Sequence, residues 1–310
     1  MQNPVDRFKA QLTAFREDDD ARWKYEEKEV QRQLRILKEA GYNDARFQEE
    51  LKRAGINVSA VEQDSQNELE SQKLVFDELR KIEAPPPRRG RKTRILLQES
   101  AAWNVIRPNA INTSIYPPAY EGWGNGEDCG FNLALGEFNL KRDETGDGWG
   151  IQAVAYGTQY CTLWFYYFPP FAGELTVEPH VDFQGDVTLS AHDHWYTSTW
   201  AKLELKLHFD LYQHYWDGEA TATIIDEHHQ NVNKSYWVDD HRVMSKSLSV
   251  SAHDIVWIKL TTSLHVVAHS SHAHVACDFR TSSDRRIRVE NIQIQLQGAP
   301  LQIFPASAAQ

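Results

Sequence analysis

The chain has 310 residues, is 41% hydrophobic and 25% charged, holds ten Trp, twelve Tyr and thirteen Phe, and carries a formal net charge of −11. That length holds two ordinary domains or one large β domain with an appendage. The acidic balance excludes general binding to nucleic acid or to anionic membranes, which requires clustered Lys and Arg.

Residues 1–83 read as helix. Phe8, Leu12 and Phe15 fall at i, i+4 and i+7, and Val30, Leu34 and Leu37 repeat that spacing. Between them "EDDDARWKYEEKE" offers only Trp23 as a large apolar anchor. Gly41 suits the end of the first helix, and Asn43 suits the cap of a short second one that closes at Gly55. Ser59 and Glu62 form a Ser-x-x-Glu capping box, so a third helix is expected to open there and run towards Ile82. Narrow apolar stripes bury little, and such an arm needs a partner. The partner is another copy of the arm, the rest of the chain, or a larger assembly. Coiled-coil-like oligomerisation or docking is the favoured reading.

The stretch "APPPRRGRKTR", residues 84–94, combines polyproline geometry with repelling cations and reads as a stiff, exposed linker. From residue 95 to 298 the pattern is β. Period-two runs such as "FNLALGEFNL", "ELTVEPHVDF", "AKLELKLHFDL" and "VWIKLTTSLHVVA" recur between Gly, Pro, Asn and Asp. Together these predict a segregated α+β chain, a helical arm followed by an antiparallel, jelly-roll-like β-sandwich. Residues 299–310 read as a tail. "RDETGDGWG" starts like a calcium loop but lacks the terminal Glu and reads as a hairpin turn. "GWGNGEDCG" is a glycine loop without the Lys or the helix of a phosphate cradle.

The tetrapeptide Ser-Ala-His-Asp occurs twice, starting at Ser190 and Ser251, and each copy is followed by Trp-x-Lys-Leu-x-x-x-Leu-His. This reads as two equivalent strand–turn–strand units in which Asp193 and Asp254 satisfy turn amides. Strand alternation puts Leu203, Leu205, Leu207, Phe209 and Leu211 inward in the first unit, and Ile258, Leu260, Leu264 and Val266 inward in the second. Trp200, Lys202 and His208 then share the polar face of one unit, and Trp257, Lys259 and His265 that of the other. A Trp on a polar face is the informative residue. It suits a sugar ring, the arm helices, or another subunit, and these six residues are the candidate binding site.

All thirteen His lie between His180 and His274. The pairs His192/His194 and His272/His274 each place two imidazoles on one strand face, as cupin-type metal sites do, which makes a cupin-like metalloenzyme the alternative reading. The glycines and the Glu that bracket such a motif are missing, and Trp195 and Tyr196 stand there instead. No cofactor is otherwise expected, and a transition metal is the one the histidines would suit. Clustered His on an acidic chain also suits pH-sensitive binding or assembly.

Three widely spaced cysteines with no CxxC pair read as reduced thiols. The charged opening stretch is unlike a signal peptide, and no apolar run reaches the roughly 18 residues of a membrane span. The chain is therefore expected to be cytoplasmic as synthesised, with later release left open. The expected function is a non-enzymatic binding or assembly protein that recognises a carbohydrate, its own copies, or a larger assembly through residues 1–83. A toxin-like or appendage subunit is the structural variant of that reading.

Overall fold

The computed structural model describes residues 4–39, 44–79, 81, 110–125, 129–146, 154–193, 199–270, 272–280, 282 and 284–298. The expected linker at 84–94 and the tail at 299–310 lie outside the described residues, as does His194.

Three helices come first: α1 (Pro4–Glu39), α2 (Asp44–Arg53) and α3 (Val58–Leu79). Gly55 ends α2 in the left-handed region at φ +78°, where only glycine sits without strain. Its N–H donates to the Lys52 carbonyl at 3.0 Å, and the Ile56 N–H reaches the Leu51 carbonyl at 3.0 Å. The start of α3 differs from the expected capping box. Asn57 is the capping residue, its Oδ1 accepting from the Ala60 N–H at 3.3 Å, while Glu62 accepts from Gln48 on α2. Asn outranks a Ser that is already inside the helix, because a cap needs a residue with non-helical backbone.

The rest of the described chain is β. The strands are β1 (Ala110–Ile115), β2 (Glu121–Gly124), β3 (Cys129–Asn132), β4 (Glu137–Thr145), β5 (Val154–Tyr167), β6 (Gly173–Ala191) and β7 (Trp200–Tyr212), followed by β8 (Ala220–Gln230), β9 (Val232–Val243), β10 (Lys246–Val250), β11 (Val256–His269), β12 (Ala273–Asp278) and β13 (Arg286–Gly298). They form two antiparallel sheets. The larger runs β1-β13-β4-β12-β6-β10, with β3 on β4 and β9 on β6; the smaller runs β2-β5-β11-β7-β8. Leu203, Leu205, Leu207 and Leu264 of the smaller sheet and Val187, Leu189, Val275 and Ile292 of the larger share one buried core, so the sheets pack face to face as a sandwich.

Alternation located that core correctly: every inward position expected in β7 and β11 is fully buried. The long strand β6 organises the larger sheet, pairing first with β13 and then with β12 along the same edge. Gly185 stands at the handover. A Cβ there would lie 2.4 Å from Phe279 and 2.6 Å from the Asp278 carbonyl, so the aromatic ring fills the space that a side chain would need.

The arm reaches both outer faces of the sandwich. Leu12, Phe15 and Trp23 of α1 cluster with Trp123, Tyr160, Trp164 and Trp257 on the smaller sheet. Phe76 of α3 packs its ring 4.7 Å from that of His274, on the outward side of β12. No helix among the described residues is long and apolar enough to cross a membrane.

Candidate functional site

The strand registers build the outer face of the smaller sheet in rows. One row runs Tyr166, Trp257, Tyr212; the next runs Glu121, Trp164, Lys259, Asp210; the next Trp123, Thr162, Thr261, His208; and a fourth Tyr160, Ser263, Lys206. These rows form an aromatic field with Lys259 and His208 set into it and Lys206 at its margin. A sheet face of this kind exposed to water would be costly, at about 25 cal/mol per Å² of apolar surface. Helix α1 covers it.

The fit is specific. Phe15 lies flat on Trp164, with ring centroids 5.1 Å apart and planes 6° from parallel, and meets Tyr212 and Trp216 edge-on. Trp23 stacks on Tyr160 at 4.9 Å. Between these anchors Asp19, only 5% exposed, points into the sheet. One of its oxygens pairs with the Lys259 ammonium and the other accepts from the Trp123 indole N–H at 3.1 Å. Lys259 also sits over the rings of Trp164 and Trp216, at 5.7 and 5.6 Å. Burying an ion pair costs desolvation, which these extra hydrogen bonds and cation–π contacts offset. Farther along, the Tyr160 hydroxyl donates to Asp20, and burial together with that carboxylate holds the phenol protonated far above its ordinary range.

A second polar station lies beside the first. His208 contacts Glu219 and Thr221 through Nδ1, at 2.9 and 3.1 Å, and Ser263 through Nε2 at 2.8 Å. Its ring faces the edge of Trp23. Arg22 of α1 donates to both oxygens of Glu219, at 2.7 and 3.2 Å. Burial pushes the Glu219 carboxyl up, but the hydrogen bonds from His208 and Arg22 outweigh it and leave the group strongly acidic.

The sequence-derived site residues divide accordingly. Trp257, Lys259 and His208 are gathered under α1, and Trp257 is wholly buried, so its outward ring meets the chain's own helix. Trp200, Lys202 and His265 lie towards the other end of the face. Trp200 stacks on His269 at 5.3 Å, 7° from parallel, and meets His228 edge-on. Lys202 lies 3.7 Å from Glu204, and His265 contacts the Thr158 hydroxyl at 3.0 Å. Burial first, and the neighbouring Lys202 second, lower the His265 pKa.

The two imidazole pairs are not placed as paired strand residues. Of the three described, His192 follows the end of β6 and is exposed, His272 is in the turn before β12 and buried, and His274 lies on β12. His274 contacts Thr145 at 3.0 Å, and burial lowers its pKa to about 4. Among the described residues no group of three or more His, Cys, Asp or Glu is arranged to hold a metal ion.

Trp123, Tyr160, Trp164, Trp216, Phe15 and Asp19 belong to the site and escaped the sequence reading. The available signal was Leu12, Phe15, Asp19 and Trp23 on one helical face, a carboxylate inside an apolar stripe.

The fold defines a β-rich chain of two antiparallel sheets, with the outer face of the smaller one covered by the chain's own first helix. No family model matches the chain, and no curated protein matches it. Among solved structures, an isomalto-dextranase of Arthrobacter globiformis T6 complexed with panose is similar at 11% identity and a TM-score of 0.18, over 59% of this chain and 23% of that one. A structure of infectious bursal disease virus, Gx strain, is similar at 12% identity and a TM-score of 0.16, over 59% of this chain and 42% of that one. The chain thus spans less than half the length of either, and scores at this level carry no argument about fold or function.

Proposed function

We propose that this is a non-enzymatic binding or assembly protein in which α1 is a docking element and the outer face of the smaller sheet is its seat. The observation that supports this reading is the matched set of contacts at the seat: Phe15 on Trp164, Trp23 on Tyr160, and Asp19 between Lys259 and Trp123. A merely solvated helical extension needs none of them. A helix laid on a hydrophobic surface with polar register contacts is a recurrent recognition mode, and it works equally between chains. The seat accepts α1 of the same chain, or of a second copy, which would give a homo-oligomer or a structural subunit of a larger assembly.

Light scattering on the full chain over a wide concentration range, at roughly pH 5 to 8, tests this. The expected result is a concentration-dependent rise in mass that Phe15→Ala reduces. A monodisperse monomer under every condition overturns assembly through the arm.

A second reading, carbohydrate binding, is favoured by an open cavity of about 380 Å³ beside the seat, lined by Ile115, Pro118, Ala119, Tyr120, Phe165 and Tyr166. The rings of Tyr120 and Tyr166 stand nearly perpendicular at 5.5 Å, and Phe168 beyond them is exposed. Aromatic walls with phenol hydroxyls at the rim suit the apolar face and the hydroxyls of a pyranose. A glycan array probed with Tyr120→Ala, Tyr166→Ala, Trp200→Ala and Trp257→Ala separates the two places. Retention lost with the Tyr variants assigns the cavity; unchanged retention in all four removes the sugar reading.

A further inference from the structure

The two cysteines nearest the seat of α1 come from different sheets. Cys129 begins β3, which pairs with β4 in the larger sheet, and Cys161 lies in β5 of the smaller one. Their thiols are arranged reciprocally. Cys129 Sγ donates to the Tyr160 carbonyl at 2.8 Å, and Cys161 Sγ donates to the Gly130 carbonyl at 3.0 Å. Each sulfur thus reaches the carbonyl of the residue flanking the other cysteine. The third wall of this site is Gly124 on β2. A Cβ there would lie 2.7 Å from Cys129 Sγ and 2.8 Å from the Tyr160 carbonyl, so the glycine leaves the space that the thiol fills. Access is unequal: Cys129 is partly exposed and Cys161 buried.

We propose that Cys129 and Cys161 are a redox pair that closes to an intramolecular disulfide, tying the two sheets together behind the seat of α1, when the protein meets a peroxide. Two thiols that each reach the carbonyl beside the other cysteine need little backbone movement to meet the geometry of a disulfide. The exposed member is the one an oxidant reaches. The Cys129 thiolate attacks one oxygen of hydrogen peroxide; the O–O bond breaks, the leaving hydroxide takes a proton to become water, and Cys129 becomes a sulfenic acid. Cys161 sulfur then attacks Cys129 sulfur, the S–O bond breaks, and the oxygen leaves as a second water carrying the Cys161 proton. Two thiols lose two electrons and one peroxide becomes two waters. Closure also removes the thiol hydrogen bond to the Tyr160 carbonyl, and Tyr160 is the residue on which Trp23 stacks. Cys277 is buried in the core and lies outside this pair.

The test treats the full chain with increasing hydrogen peroxide, removes the excess with catalase, and counts thiols with Ellman's reagent in denaturant. The expected result is a fall from the three free cysteines to one. Non-reducing peptide mapping should show Cys129 joined to Cys161 and two hydrogens lighter, Cys277 unmodified, and full recovery with dithiothreitol. In Cys161→Ser the reaction should stop at a Cys129 sulfenic acid that dimedone traps. The proposal is overturned if all thiols persist, if Cys129 passes to sulfinic acid without linkage in the wild type, or if the only disulfide joins two chains.

Discussion

Phe15→Ala is the sharpest test of the arm's seat. The ring is 8% exposed, lies flat on Trp164, and is closed in by Tyr212 and Trp216. An aromatic side chain buries roughly 150 to 200 Å², worth about 4 kcal/mol at 25 cal/mol per Å², and an aromatic stack adds about 1 kcal/mol. Alanine keeps part of the apolar contact and the neighbours relax into the gap, which leaves a net loss of about 3 kcal/mol, at the low end of measured Phe→Ala costs. Because the lost contacts all lie between α1 and the sheet, the loss falls on docking and not on the sandwich. At 1.4 kcal/mol per decade, docking weakens by roughly a hundredfold. Hydrogen exchange reads this directly: α1 amides should lose about two decades of protection while those of β7 and β11 keep theirs. A red shift of tryptophan emission should accompany the loss as Trp164 meets water. Unchanged exchange in α1 would refute the packing argument. An equal loss of protection across α1, β7 and β11 would refute the separation of arm from sandwich.

Lys259→Met leaves Asp19 buried without its cation, so it should cost docking about 3 kcal/mol, whereas Lys259→Met with Asp19→Leu should recover most of that loss; a denaturant double-mutant cycle measures the coupling. His274, buried under Phe76 with Asp143, Asp77 and Lys73 nearby, has its pKa lowered to about 4. The unfolded chain therefore binds a proton below about pH 6.5 that the folded chain refuses until about pH 4. Stability should fall as pH drops through that window, by up to about 3 kcal/mol, and level off below it. In His274→Phe that part of the pH dependence should vanish from urea titrations.

The sandwich core was legible because β7 and β11 alternate cleanly, with Leu203 to Leu211 on one side and Lys202 to His208 on the other. The seat was not, for two physical reasons. Its centre is β5, where both faces are apolar: Tyr160, Thr162, Trp164 and Tyr166 point outward while Cys161, Leu163 and Phe165 point into the core, and alternation has no polar side to mark. The other half of the contact is α1, where Asp19 interrupts the apolar stripe and makes it look too narrow to bury. That carboxylate is what the Lys259 ammonium and the Trp123 indole require. His192 and His272 fall just beyond strand ends, where spacing of two no longer means one face.

The repeated Ser-Ala-His-Asp turns out to mark two chain crossings. β6 passes into β7 and β10 into β11, each from the larger sheet to the smaller, and both pairs, β6 with β10 and β7 with β11, are antiparallel. As expected, Asp193 accepts from the Thr199 N–H and Asp254 from the Ile255 N–H. The register matches His208 with Thr261 and His265 with Glu204, so an approximate twofold axis relates the two Trp-Lys-His stations. There is one α1 for two stations, and it takes the one where Trp164 and Trp216 stand beside Lys259. At the other station His269 and His228 pack against Trp200, which stays half-buried. The two equivalent tryptophans should therefore differ in cost. Trp257→Ala opens a cavity beneath α1 and should lose about 4 kcal/mol, while Trp200→Ala removes mainly a stack and should lose about 1 kcal/mol. Thermal or urea unfolding of the two variants side by side decides, and equal costs would mean that the arm does not distinguish the stations.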